Sequence, residues 1–179
     1  MTGVVEIEKV RLGASIKKGF RNWKNQFKED FNAETCLSHL SLETLRFLVQ
    51  SHDKGAFYLY DLIMNLQNLG SGFEFHELNP KEKMAVMDRY LFLLDRIRFE
   101  FMKRLGWIEG YPGEGFSLVE LITRFDEIGT ALEAKIATLS RDHADYDRFG
   151  AMSAFEKEEF IRRLIAKVLK KIKDHSTTL

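Results

Sequence analysis

Asp88, Asp95 and Arg98 follow one another at seven and three residues, a spacing that gathers them on one helix flank within about a quarter-turn. Two carboxylates beside a guanidinium in a dry site can hold a charged ligand or move a proton, because each charge shifts the titration of the others. On a wet helix face the same residues do less, since Asp95 and Arg98 at i, i+3 form a surface pair that fixes helix register. A ligand pocket built on this flank would draw on His52, Trp107 and Tyr111. The register-fixing pair is the simpler reading, because no third catalytic partner accompanies the three.

A second constellation runs Asp145-Tyr146-Asp147-Arg148-Phe149-Gly150 and on to Glu156. Asp at positions one and three, Gly at six and Glu at twelve are the oxygen ligands and sharp turn of a calcium loop, so the segment resembles an EF-hand loop. The resemblance covers twelve residues and nominates Asp145, Asp147 and Glu156 as metal ligands. It departs from the pattern at position five, where Phe149 offers no oxygen. A connector that ends in a helix cap explains the same residues without a metal. None of the five His follows a Glu at three residues, and no His-Glu-x-x-His occurs, so di-iron and zincin sites have no support. The Gly-rich stretch from Gly106 to Phe116 lacks both a preceding strand pattern and a following Lys-Ser/Thr, which argues against a phosphate-binding loop. It reads instead as a flexible connector or an aromatic lid.

Two stretches are strongly basic. Residues 9–28 carry Lys9, Arg11, Lys17, Lys18, Arg21, Lys24 and Lys28 with no acid among them, and the last helix adds Arg162, Arg163, Lys167, Lys170, Lys171 and Lys173. Such faces suit an anionic membrane, a nucleic acid or a partner's groove, or simply flank apolar stripes buried in the molecule. The chain as a whole is neutral, 27 basic against 27 acidic residues, which lacks the global bias of a nucleic-acid binder. Counted by segment, the balance alternates: +5 for 1–28, −6 for 29–80, +3 for 81–108, −6 for 109–147 and +4 for 148–179. Neighbouring helices of opposite sign attract one another.

The elements that would position these groups are marked by helix caps. Ser41, Asn79, Ser117 and Ser153 recur at 38, 38 and 36 residues, and the last three precede a Glu by three positions. Each pair can satisfy two orphan amides reciprocally. The pattern predicts helices over about 15–30, 41–69 (kinked or split near 51–55, where Asp53 can cap), 80–105, 118–139 and 154–173. Gly129 inside the fourth predicts a close helix neighbour. Helix 80–105 is apolar on two sides, with Phe92 and Phe99 on its second strip, so it is either central or shared with another subunit.

The expected fold is therefore all-α: an antiparallel bundle of about five helices with an amphipathic N-terminal helix, in a single helical domain over 1–179. Residues 1–14 are expected as an arm or irregular start and 174–179 as a frayed tail. A lone Cys36 and the absence of a long apolar run or signal-like N-terminus favour a cytoplasmic protein. The leading functional expectation is a non-enzymatic interaction or scaffold protein, a homodimer through Phe92 and Phe99, with no cofactor. The alternative is a ligand- or metal-binding helical domain, and the third reading a peripheral membrane or nucleic-acid adaptor through residues 9–28.

Overall fold

The computed structural model describes residues 2–50 and 53–176. The chain is mostly helical: α1 (Thr2–Phe27), α2 (Leu42–Val49), α3 (Asp53–Leu66), α4 (Pro80–Arg104), α5 (Leu118–Thr123), α6 (Phe125–Glu133), α7 (Tyr146–Gly150) and α8 (Ala154–Ser176). Two short strands, β1 (Ile108–Gly110) and β2 (Thr138–Leu139), pair antiparallel with Ile108 opposite Leu139. Among the described residues no helix is long and apolar enough to cross a membrane.

The caps act as their residue types require. Asn79 accepts from the Glu82 amide at 2.8 Å while Glu82 accepts from the Asn79 amide at 3.2 Å, and Ser117–Glu120 and Ser153–Glu156 repeat the exchange. Ser41 accepts from Thr44 to start α2. The helix that was apolar on two sides is the central one. α4 packs against α2, α3, α5, α8 and β1, and buried residues ring it from Val86 to Met102. One continuous apolar cluster links Phe20 and Trp23 of α1 to Ile172 of α8.

Asp61 is wholly buried on α3 and carries no ion pair among the described residues. It accepts instead from Asn22 (3.0 Å), Asn65 (3.2 Å) and the Gly72 amide (2.9 Å). Several N–H donors compensate a buried carboxylate as a cation would. Gly72 is required there, since a Cβ would stand 3.1 Å from the Asp61 backbone and 2.9 Å from the Phe57 ring.

Three expectations are corrected. Residues 3–12 are not irregular: they extend α1 as a helix whose side chains, to Ala14, are all exposed. Good helix formers such as Glu6, Lys9, Arg11 and Leu12 need no apolar stripe to continue a helix already nucleated at Ser15–Phe27. The helix expected over 118–139 is broken at Arg124 and ends at Glu133. Beyond it the buried Ala137 and Leu139 alternate with exposed Thr138, so the end of the apolar run satisfies the period of a strand. The atoms nearest to a Cβ at Gly129 belong to the ring of Phe125, one turn back on α6, at 2.9 Å. The tail is helical to Ser176.

Candidate functional site

Along α4, the residues Ala85, Arg89, Phe92, Arg96 and Phe99 repeat at steps of four and three, which makes one strip of alternating guanidinium and ring. Its C-terminal half forms the floor of a cleft. The Arg96 guanidinium lies over Phe92 at 4.7 Å and over Phe99 at 5.1 Å from the ring centres, an attraction of about 0.5–2 kcal/mol for each desolvated face. Arg96 is 3% exposed, yet among the described residues it makes no ion pair. Its one acceptor is the carbonyl of Pro112, at 2.6 Å from Nη1, and the buried Nε has no protein acceptor. Burial pushes the guanidinium pKa down, against Asp95 and Glu133, which pull it up.

The cleft above it, about 240 Å³, opens between α4, the segment from Glu133 to Ala137 and α8. One wall is apolar: Phe99, Ile136 and Ile161. The rim is ionic, with Glu133, Lys135, Glu158 and Arg162. Arg162 of α8 closes one side by gripping both oxygens of Asp95, at 2.9 and 3.1 Å. A charged floor, an apolar wall and a mixed rim suit a small amphipathic anion better than a metal or a reaction. Among the described residues, no Ser, Thr, Cys, His or Tyr lines the cleft.

The residues nominated from sequence are scattered by the fold. Asp95 meets the cleft only through Arg162, which is its partner in place of Arg98. Arg98 is half-buried with its Nε lacking a protein acceptor, and desolvation lowers its pKa. Asp88 is exposed, and His52 lies outside the described residues. Trp107 stacks beneath Lys171, 5.7 Å away. Tyr111 is buried and donates to Glu100 at 2.7 Å. Burial, then the bond to Glu100, drives its phenol far above the ordinary range, so it stays a neutral donor. Arg104 takes the other Glu100 oxygen at 3.3 Å, closing that knot.

The calcium-loop expectation is corrected. Residues 146–150 are wound into α7, Asp145 pairs with Arg148 at 3.2 Å, and Glu156 is engaged by the Ser153 amide. A helical turn at 146–150 replaces the open loop from which an EF-hand ion is ligated. Among the described residues no group of three or more His, Cys, Asp or Glu converges on a metal position. The interface expectation is corrected too: Phe92 and Phe99 are buried inside the chain, Phe92 against Phe125 and Phe99 against Tyr111. The apolar residues that α4 exposes are Met84, Met87 and Leu91. Cys36 is a free thiol, its pKa raised by burial and then by Glu120.

Sequence spacing nominates Arg98, beside the main stripe, and not Arg96. The available signal was the strip itself, where an Arg three and four residues from Phe on each side predicts a stacked cation. No family model, curated protein or solved structure matches the chain.

Proposed function

We propose that the protein is a non-enzymatic helical binding domain whose long helices pack as an antiparallel bundle and whose α4–α8 cleft takes a small amphipathic anion. The ligand's carboxylate or phosphate pairs with Arg96, and its apolar body lies on Phe99, Ile136 and Ile161. The observation that carries this reading is Arg96 itself, a buried cation with a single carbonyl acceptor at the floor of an open cleft. Burying a charge is expensive unless it is paired, and an anion in the cleft would pair it. A volume of about 240 Å³ sits below the usual range for drug-sized ligands, which limits the occupant to a small metabolite.

The test is a thermal-shift screen of short aliphatic and aromatic carboxylates and phosphomonoesters, followed by calorimetry on the hits. At least one class should raise Tm in a concentration-dependent way, and Arg96→Met should abolish the rise while leaving the fold intact. A screen without any shift, or a shift that survives Arg96→Met, overturns the reading.

A second reading, contact between copies or with a protein partner, rests on Met84, Met87 and Leu91, a one-sided apolar row on α4 that is 65%, 46% and 58% exposed. Native mass spectrometry decides it: a dimer that Leu91→Asp converts to monomer supports contact between copies, and a monomer at every concentration removes it.

A further inference from the structure

The α1 helix carries two stripes. Ile16, Phe20, Trp23 and Phe27 run at steps of four, three and four and pack into the core. One residue on, about 100° round the helix, a second stripe runs Ile7, Val10, Ala14, Lys17, Arg21 and Lys24 at strict steps of three and four, and Lys28 follows just past the helix end at Phe27. Every member of that stripe is exposed. Its first half is aliphatic, with Ile7 55% and Val10 72% exposed, and its second half is cationic. Arg11 and Lys18 stand beside it. Together with Lys9, and with Lys28 just past the helix, these make seven cations, six of them over about 23 Å of helix, none of which forms an ion pair among the described residues. From Lys9 to Lys28 the segment contains no Asp or Glu.

We infer that α1 docks the protein on an anionic phospholipid surface. The line of cations lies on the headgroups, and the projecting aliphatic end enters the boundary between headgroup and acyl chain. Charge complementarity fixes the sign of the partner. The aliphatic end decides its kind: Ile7 and Val10 gain nothing against a sugar-phosphate backbone but gain free energy on leaving water for a bilayer. At the base of the arm Arg11 and Lys18 flank a notch of about 310 Å³ floored by Ser15, Asn65 and Asn68, without an acid to repel a lipid phosphate. Because no described helix spans a membrane, the attachment is peripheral.

The test is co-sedimentation of the full chain with vesicles of phosphatidylcholine alone, or of phosphatidylcholine with phosphatidylserine as a third of the lipid. A duplex DNA titration runs in parallel. Binding is expected only with phosphatidylserine and should fall steeply between about 0.1 M and about 0.5 M salt. Reversing three charges together (Lys17→Glu, Arg21→Glu, Lys24→Glu) should weaken it on the order of 100-fold, at about one Lys or Arg per several-fold of affinity. Ile7→Asp with Val10→Asp, on the part of the helix beyond the core, should weaken vesicle binding at least roughly tenfold. All five side chains are exposed, so circular dichroism should be unchanged. No binding to phosphatidylserine vesicles at low salt overturns the inference. So does duplex binding of equal strength that Ile7→Asp with Val10→Asp leaves intact, which would assign the stripe to nucleic acid.

Discussion

Arg89 and Arg96 share a helix, a strip and a stacking partner type, and stand two turns apart, yet they are finished differently. Arg89 uses all three nitrogens: Nε donates to Ile122 O (3.2 Å), Nη1 to Ala85 O (3.2 Å) and Nη2 to Asp126 (3.0 Å), with the Phe125 ring at 5.0 Å. Arg96 has two rings and one carbonyl. The first is a closed structural contact. Ile122 O is freed where the helix breaks at Arg124, and Arg89 caps it as cations near a helix C-terminus do. Gly129 contributes by letting the Phe125 ring lie flat against its own helix. The second keeps a buried Nε without a protein acceptor beside a cleft that its side chain lines. Burial of an ion is thus no sign of function by itself; the count of donors left without an acceptor is.

If satisfied buried ions are structural, the largest loss of stability belongs to Asp61. Asp61→Ala takes the carboxylate acceptor from the Gly72 amide and the Asn22 side chain, while Asn65 keeps the Asp61 carbonyl at 2.8 Å, and is expected to cost about 3 kcal/mol in urea unfolding. A loss under about 1 kcal/mol would mean that the two donors rehydrate freely, and the rule would fail at its strongest case.

Arg89→Met comes next. It removes one stacked cation and leaves Ile122 O without its cap, an expected cost of about 2–3 kcal/mol. Asp126 is 85% exposed on its side chain and returns to water without penalty, which keeps the figure below that of a fully buried pair.

Arg96→Met is the decisive comparison. It exchanges an under-satisfied buried charge for an apolar chain of similar reach, and half-buried Pro112 O can turn to water. Stability should stay within about 1 kcal/mol of the parent in either direction, while ligand-induced shifts in Tm disappear. Equal losses for Arg89→Met and Arg96→Met would show that both arginines are structural and would close the cleft as a site.

The sequence disclosed what is local and periodic. Asn79-Pro80, Ser117 and Ser153 mark helix starts because a cap needs one residue type at one position, and the two-sided burial of α4 follows from Phe92 and Phe99 lying off the main stripe. Three things stayed hidden for separate reasons. Residues 3–14 bury nothing, and periodicity reports burial rather than helicity, so a projecting helix leaves no stripe in the core-facing sense. The apolar spacing of Leu132, Ile136 and Leu139 fits a helix while that of Ala137 and Leu139 fits a strand, and pairing with Ile108, which lies 31 residues from Leu139, settles it. The cleft draws Arg96, Ile136 and Arg162 from distant segments, and no local spacing contains that meeting.

The smallest effect probes how far the Arg89 side depends on α5. Glu120 accepts from the Ser117 amide at 3.2 Å and pairs with Arg124 at 3.2 Å. The Ser117 amide is the main cause holding its carboxyl below the ordinary range, with the Ser117 hydroxyl and Arg124 adding to it. A depressed carboxylate contributes stability that is present above its unfolded pKa, about 4.3, and is lost as pH falls through the folded value. Glu120 is 44% exposed on its side chain, so solvent screening leaves only a few tenths of a kcal/mol. Glu120→Gln should therefore flatten the acid limb of the stability profile slightly in the Arg89 parent. In Arg89→Met, where α5 has already lost its C-terminal anchor, the same substitution should have a larger effect. Additive losses in the double variant would show that the two ends of α5 are held independently, and that the Arg89 contact is only local.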